Sequence, residues 1–122
     1  MNREQINQKV HLSMDKQVEI NGYATVVQTL MDLNVLSQKD YEDWRRGKIP
    51  YLERVCHANL SKLSYMLRQI SQYGKERNLK PSWTDYRQWG KKGKKVKLRF
   101  TKFHDENMEK AYATHYIKKQ VK

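Results

Sequence analysis

The chain has 122 residues, with 25 Lys and Arg against 13 Asp and Glu, a formal net charge of +12. That length suits one domain with one core, residues 1–122; hydrophobic content is low at 38%, but an aromatic share of 11%, with three Trp and eight Tyr, argues against wholesale disorder. No apolar run approaches the roughly 18 residues that a membrane span needs, and the opening MNREQINQKV lacks the apolar stretch of a secretory signal, so the expectation is a cytoplasmic protein with no membrane partner.

Residues 3–19 place Ile6, Val10, Met14 and Val18 at i, i+4 spacing, which predicts a helix with a narrow apolar stripe, closed by Gly22 as its C-cap. The Asn21-Gly22 pair could also make a two-residue hairpin turn. The helical spacing of Tyr23, Val26, Val27, Leu30, Met31 and Leu33 favours a second helix, running to about Asn34. Ser37 is a good N-cap for a short helix, Gln38 to Arg46, with Asp40 in its first turn and Gly47 at its end. Tyr41 and Trp44, three apart, should face inward.

From Pro50 to about Glu76 the residues Leu52, Val55, Cys56, Leu63, Met66, Leu67, Ile70 and Tyr73 fall on one sector of a helix. They predict a single long helix, some 40 Å in length at 1.5 Å per residue, around which the rest packs. Asn59, on its apolar face, should hydrogen-bond the backbone of a neighbouring element. Cys56 is alone, so no internal disulfide forms, and it reads as a small buried hydrophobe.

After Pro81 the period changes from 3.6 to 2. Trp83, Asp85, Arg87 and Trp89 alternate with Thr84, Tyr86 and Gln88, and Val96, Leu98 and Phe100 alternate with Lys95, Lys97, Arg99 and Thr101. Two β-prone runs around a glycine-containing connection predict a hairpin, with the apolar side of the second strand on the helices. A last helix, about Glu106 to Lys119, would start on Asp105 and turn Met108, Ala111, Tyr112 and His115 inward. The predicted fold is therefore mainly α: a helical bundle around one long central helix in residues 1–79, then a basic β-hairpin and a helix in residues 80–122.

The charge is concentrated in that C-terminal part. Residues 1–40 hold four basic and five acidic groups, residues 41–79 eight and four, and residues 80–122 thirteen and four. Between Lys91 and Arg99 lie Lys91, Lys92, Lys94, Lys95, Lys97 and Arg99. Such a ribbon fits the phosphates of a nucleic acid, and about six contacts would give a slope near −5 in log K against log salt. The rival explanation is an edge strand that uses lysines to prevent edge-to-edge pairing. The tract's extension through the turn, where no edge needs protecting, favours phosphate contact. Trp83, Tyr86 and Trp89 could stack on unpaired bases, although aromatics with this alternation more often serve a core.

The stretch SQKDYEDWRRGKIPYLERV, Ser37 to Val55, resembles the helix-turn-helix of phage-repressor-type regulators. In those proteins a recognition helix is followed by a Trp, a basic residue, Gly and a helix opening with Pro and Leu-Glu. Tyr41, Trp44, Gly47, Pro50, Leu52 and Glu53 hold those places here. The resemblance runs from Tyr23 to Val55 and implies a DNA-binding regulator with a wing-like hairpin. The sequence departs from the pattern with Asn34 where such motifs prefer Gly, in a turn one residue longer, and with Asp40, Glu42 and Asp43 on the helix that would read DNA. A purely structural helical hairpin stays open beside it.

Catalysis finds little in the sequence. His11, His57, His104 and His115 have no metal-ligand spacing, Asp105, Glu106 and Glu109 are explained by capping and first-turn charge, and GKKGKK lacks the strand-to-helix setting of a phosphate cradle. The expectation is a small non-enzymatic nucleic-acid-binding protein without metal or cofactor, with DNA ahead of RNA. Lys91, Lys92, Lys94, Lys95, Lys97 and Arg99 would grip the backbone, with Arg45, Arg46 and Lys48 as a second contact. Two alternatives are a protein-interaction module that docks on an acidic protein and a small nuclease.

Overall fold

The computed structural model describes residues 1–90 and 96–119. Helix α1 (Arg3–Asn21) opens on a capping box in which the Asn2 carboxamide accepts the Gln5 amide at 2.8 Å while Gln5 accepts the Asn2 amide at 3.0 Å. It closes at Gly22, whose φ of +81° is left-handed. Ile6, Val10 and Met14 are buried along one stripe, as their spacing predicts. Beneath them a polar seam ties α1 to residues 25–32: the Gln17 carboxamide donates to Ser13 and Thr29 and accepts the Thr25 amide, and the Ser13 hydroxyl donates to Asp32 at 2.7 Å. Ser13, Gln17 and Thr29 are all buried, so this network fixes the pairing of the two segments by leaving no unsatisfied alternative.

The segment after Gly22 is not helical throughout. Tyr23–Thr25 is strand β1, and α2 covers Val26–Asp32, with Thr25 as its N-cap. Helix α3 (Gln38–Arg45) starts on Ser37, whose hydroxyl accepts the Asp40 amide, and Gly47 lies just beyond it with φ +80°.

The long helix predicted from Pro50 is two elements. Leu52–Val55 is a 3-10 turn, and α4 begins only at Leu60, running to Glu76. The reason is tertiary. The Leu52 and Glu53 amides donate to the carbonyls of Arg99 and Phe100, and the His57 amide donates to Val35, so these donors are committed elsewhere. Asn59 then caps α4 through the Lys62 amide at 2.9 Å, and does not reach a neighbouring element as expected. Helical periodicity could not register the break because Leu52 is buried, and Val55 and Cys56 pack on the core, on either arrangement.

Past α4, Lys80–Trp83 forms β2, and after α5 (Glu106–Ala113) the chain becomes strand β3 (Thr114–Ile117) where the sequence predicts a continued helix. The run Thr-His-Tyr-Ile is rich in β-branched and aromatic side chains that suit a pleated surface. The three strands make one antiparallel sheet in the order β1-β3-β2, with Ala24 and Pro81 both opposite Tyr116. Pro81 sits on an edge strand, the place in a sheet where a missing N–H is tolerated. The Tyr116 ring lies on α4 at Gly74, where an added Cβ would come within 2.6 Å of it.

Among the described residues the expected hairpin shows a short ladder. Arg87 faces Lys97 across an isolated bridge, flanked by the Gln88 amide on the Val96 carbonyl and the Leu98 amide on the Tyr86 carbonyl. Leu98 and Phe100 are buried as predicted, whereas Val96 is exposed. Phe100 occupies the centre of an aromatic core, with ring centroids 5.0 Å from Trp44, 5.5 Å from Tyr86 and 5.4 Å from Tyr112, on which it stacks. The architecture among the described residues is thus mainly helical with a small antiparallel sheet, organised around Phe100 and its neighbours more than around one helix.

Candidate nucleic-acid interface

Residues 88–89, just before the lysine tract, pack on the end of α3 at Arg45 and Arg46. The Trp89 amide donates to the Arg45 carbonyl at 2.6 Å, and the Gln88 carboxamide donates to the Arg46 carbonyl at 3.2 Å. Gly47 suits this junction because its φ of +80° strains any L side chain, while a Cβ there would meet only the movable end of Gln88. The C-terminal end of α3, with its unpaired carbonyls, is therefore capped by residues 88–89, which lead into the lysine tract. Lys91, Lys92, Lys94 and Lys95 lie outside the described residues.

The five remaining candidates are held in different ways. Arg45 is half-buried with its guanidinium between two rings, 5.1 Å from the Tyr86 centroid and 4.8 Å from that of Trp89. Arg46 is exposed and pairs with Glu42 one turn earlier at 3.7 Å. Lys48 is exposed. The Lys97 ammonium lies 3.3 Å from the Asp85 carboxylate, which also holds Arg87 at 3.1 Å, and 5.2 Å from the ring centre of Trp83. Arg99 is turned inward on the chain itself, donating to the carbonyls of Thr101 and Lys102. Of the alternating basic side predicted for the second strand, Lys97 meets solvent and Arg99 serves the local turn.

The face of α3 that the helix-turn-helix resemblance would point at DNA carries its own compensation. Lys39 pairs with Asp43 at 3.2 Å, Gln38 donates to Glu42, and Asp40 lies 3.8 Å from the His57 imidazole. Exposed i, i+4 pairs of this kind contribute only about 0.3–0.5 kcal/mol each, but they leave α3 without a positive face to offer a phosphate.

Trp83 and Trp89 are 49% and 39% exposed, while Trp44 is wholly buried with its indole N–H on the Arg99 carbonyl. The sequence reading favours a core role for all three of Trp83, Tyr86 and Trp89. Only Tyr86 is core, its hydroxyl pushed well above the usual phenol range by burial. The signal that separates them is the period-2 alternation itself, which puts Tyr86 on the side opposite Trp83 and Trp89.

The other groups considered for chemistry have structural partners. The Glu109 carboxylate is buried and accepts the Phe100 amide, the Thr101 amide and the Thr101 hydroxyl. Burial raises the Glu53 carboxyl above its ordinary value, against the hydrogen bond it accepts from Tyr112 at 2.7 Å. Burial also pushes the Cys56 thiol up to about 12, which leaves it protonated and unreactive. Asp105 caps α5 through the Asn107 and Met108 amides. No family model, no curated protein and no solved structure matches the chain.

Proposed function

We propose that this is a small nucleic-acid-binding protein that works without catalysis, holding the phosphate backbone through the cations that come after Trp89. In this reading Lys91, Lys92, Lys94, Lys95 and Lys97 make the principal contact, as a basic hairpin, and Arg46 and Lys48 make the second. Arg45 and Arg99 support them from within, one between aromatic rings and the other across the turn. DNA is favoured over RNA by the likeness of Ser37 to Val55 to repressor sequences alone.

The observation that carries the reading is the junction of α3 with residues 88–89. The Trp89–Arg45 and Gln88–Arg46 bonds bring the residues that lead into the lysine tract to the end of α3 that carries Arg45 and Arg46, more than 40 positions earlier in sequence. Neighbouring cations on separate elements can track a phosphate backbone over several nucleotides, and each contact adds to the counterions released on binding. The acidic residues of α3 count against the recognition-helix version of the idea and leave the electrostatic version intact.

The test is a fluorescence-anisotropy titration of the full chain with duplex DNA, single-stranded DNA and RNA at two salt concentrations. A steep fall in affinity with salt, toward the slope of about −5 that six phosphate contacts imply, is the expected result. Binding to none of the three at low salt would sink the reading and favour an acidic protein as the partner.

A further inference from the structure

We propose that Trp83 and Trp89 form a stacking platform for the bases of single-stranded nucleic acid. This rests on the nucleic-acid reading above and narrows it from any polyanion to strands whose bases are free. Trp83 and Trp89 leave 49% and 39% of their surface in solvent although a buried aromatic core of Trp44, Tyr86, Phe100 and Tyr112 lies close by. An indole is the largest apolar side chain, and leaving two of them open forfeits the burial that ordinarily recruits them.

Each exposed ring is also paired with a cation. Lys97 stands 5.2 Å from the centre of Trp83, and the Arg45 guanidinium 4.8 Å from that of Trp89. Beside Trp83 the Asp85 carboxylate lies 3.1 Å from Arg87 and 3.3 Å from Lys97. Trp89 is braced edge-on against Tyr41 at 5.8 Å, which holds its plane. Braced aromatic planes beside cations are what unpaired bases and their phosphates require: any base offers a π face to the ring, and the adjoining phosphate meets the exposed Lys97 ammonium.

Geometry sets the class of ligand. The two rings are six residues apart, hence within roughly 20 Å at their Cα atoms, a reach of a few nucleotides. In a duplex the base faces are covered by their own neighbours, so a platform of this kind discriminates in favour of single strands, whereas the lysine tract alone would hold either form.

The experiment uses intrinsic fluorescence, because Trp44 is shielded and the two exposed indoles report on contact. Titrating the full chain with oligo(dT) should quench Trp83 and Trp89, and a duplex of equal length should bind with little quenching. By anisotropy, Trp83→Ala and, separately, Trp89→Leu should each weaken oligo(dT) binding about tenfold and leave duplex binding within about twofold. Binding of oligo(dT) without quenching, or equal losses for both nucleic acids in each variant, would overturn the platform while leaving the electrostatic reading in place. Failure of the unaltered chain to bind either nucleic acid, or quenching by poly-glutamate but not by oligo(dT), would overturn the platform together with the reading it rests on.

Discussion

The indole N–H of Trp44 donates to the carbonyl of Arg99 across 2.8 Å, and the same carbonyl accepts the Leu52 amide at 3.1 Å. One oxygen thus joins α3, the 3-10 turn and the segment around Arg99. Trp44→Phe keeps most of the ring in place and removes one of the two donors. The carbonyl retains the Leu52 amide, but Phe leaves a cavity at a wholly buried site, so the expected loss is about 2–3 kcal/mol, read as a lower denaturant midpoint with an unchanged slope.

Glu109 makes a harsher prediction. Its carboxylate receives three different donors from Phe100 and Thr101 in a buried setting. Glu109→Gln offers one acceptor oxygen and turns an NH2 group toward N–H donors, so it should cost about 2–3 kcal/mol. Chemical denaturation measures it. An effect below about 0.5 kcal/mol, the range of ordinary surface changes, would mean that the carboxylate does not organise this turn.

His115 predicts a dependence on pH. Burial lowers its pKa below the ordinary value of 6.5, so between that value and the folded one the unfolded chain binds the proton more readily. Stability is therefore intact above about pH 6.5 and declines as the pH falls through the folded value. His115→Phe keeps a ring against Tyr86 and Tyr23 and removes the titration. Denaturation midpoints at pH 7, 6 and 5 should fall less steeply in the variant than in the unaltered chain. Identical slopes would assign the acid sensitivity to other groups.

The proposed grip on phosphate is tested by replacing Lys91, Lys92, Lys94 and Lys95 with Gln. Nucleic-acid affinity should fall more than about tenfold at low salt, and the salt slope should become shallower by roughly one for each phosphate that no longer meets a lysine. Thermal stability should remain nearly unchanged. Unaltered affinity would remove the tract from the mechanism.

What the sequence could be read for divides along physical lines. Helices α1 and α3 were legible because their signals are local: a stripe at i, i+4 and Gly22 for the first, Ser37 and Gly47 for the second. The break before α4 was not, because it is made by donors of Leu52, Glu53 and His57 leaving for Arg99, Phe100 and Val35. Strand β3 was hidden for a related reason. Met108, Ala111, Tyr112 and His115 keep a helical period, and the strand partners that override it stand at residues 23–25 and 80–83. At the candidate site the basic character of Lys97, Arg45 and Arg46 was plain. Their neighbours were not, since neither the Asp85 clamp on Lys97 nor the Tyr86–Trp89 sandwich around Arg45 can be deduced from spacing along the chain.

Strand β3 lies between β1 and β2, which do not pair with each other. Each outer strand lacks its one partner until Thr114–Ile117 is in place, so a chain stopped before Thr114 would carry two bare edges open to proteases and to other chains.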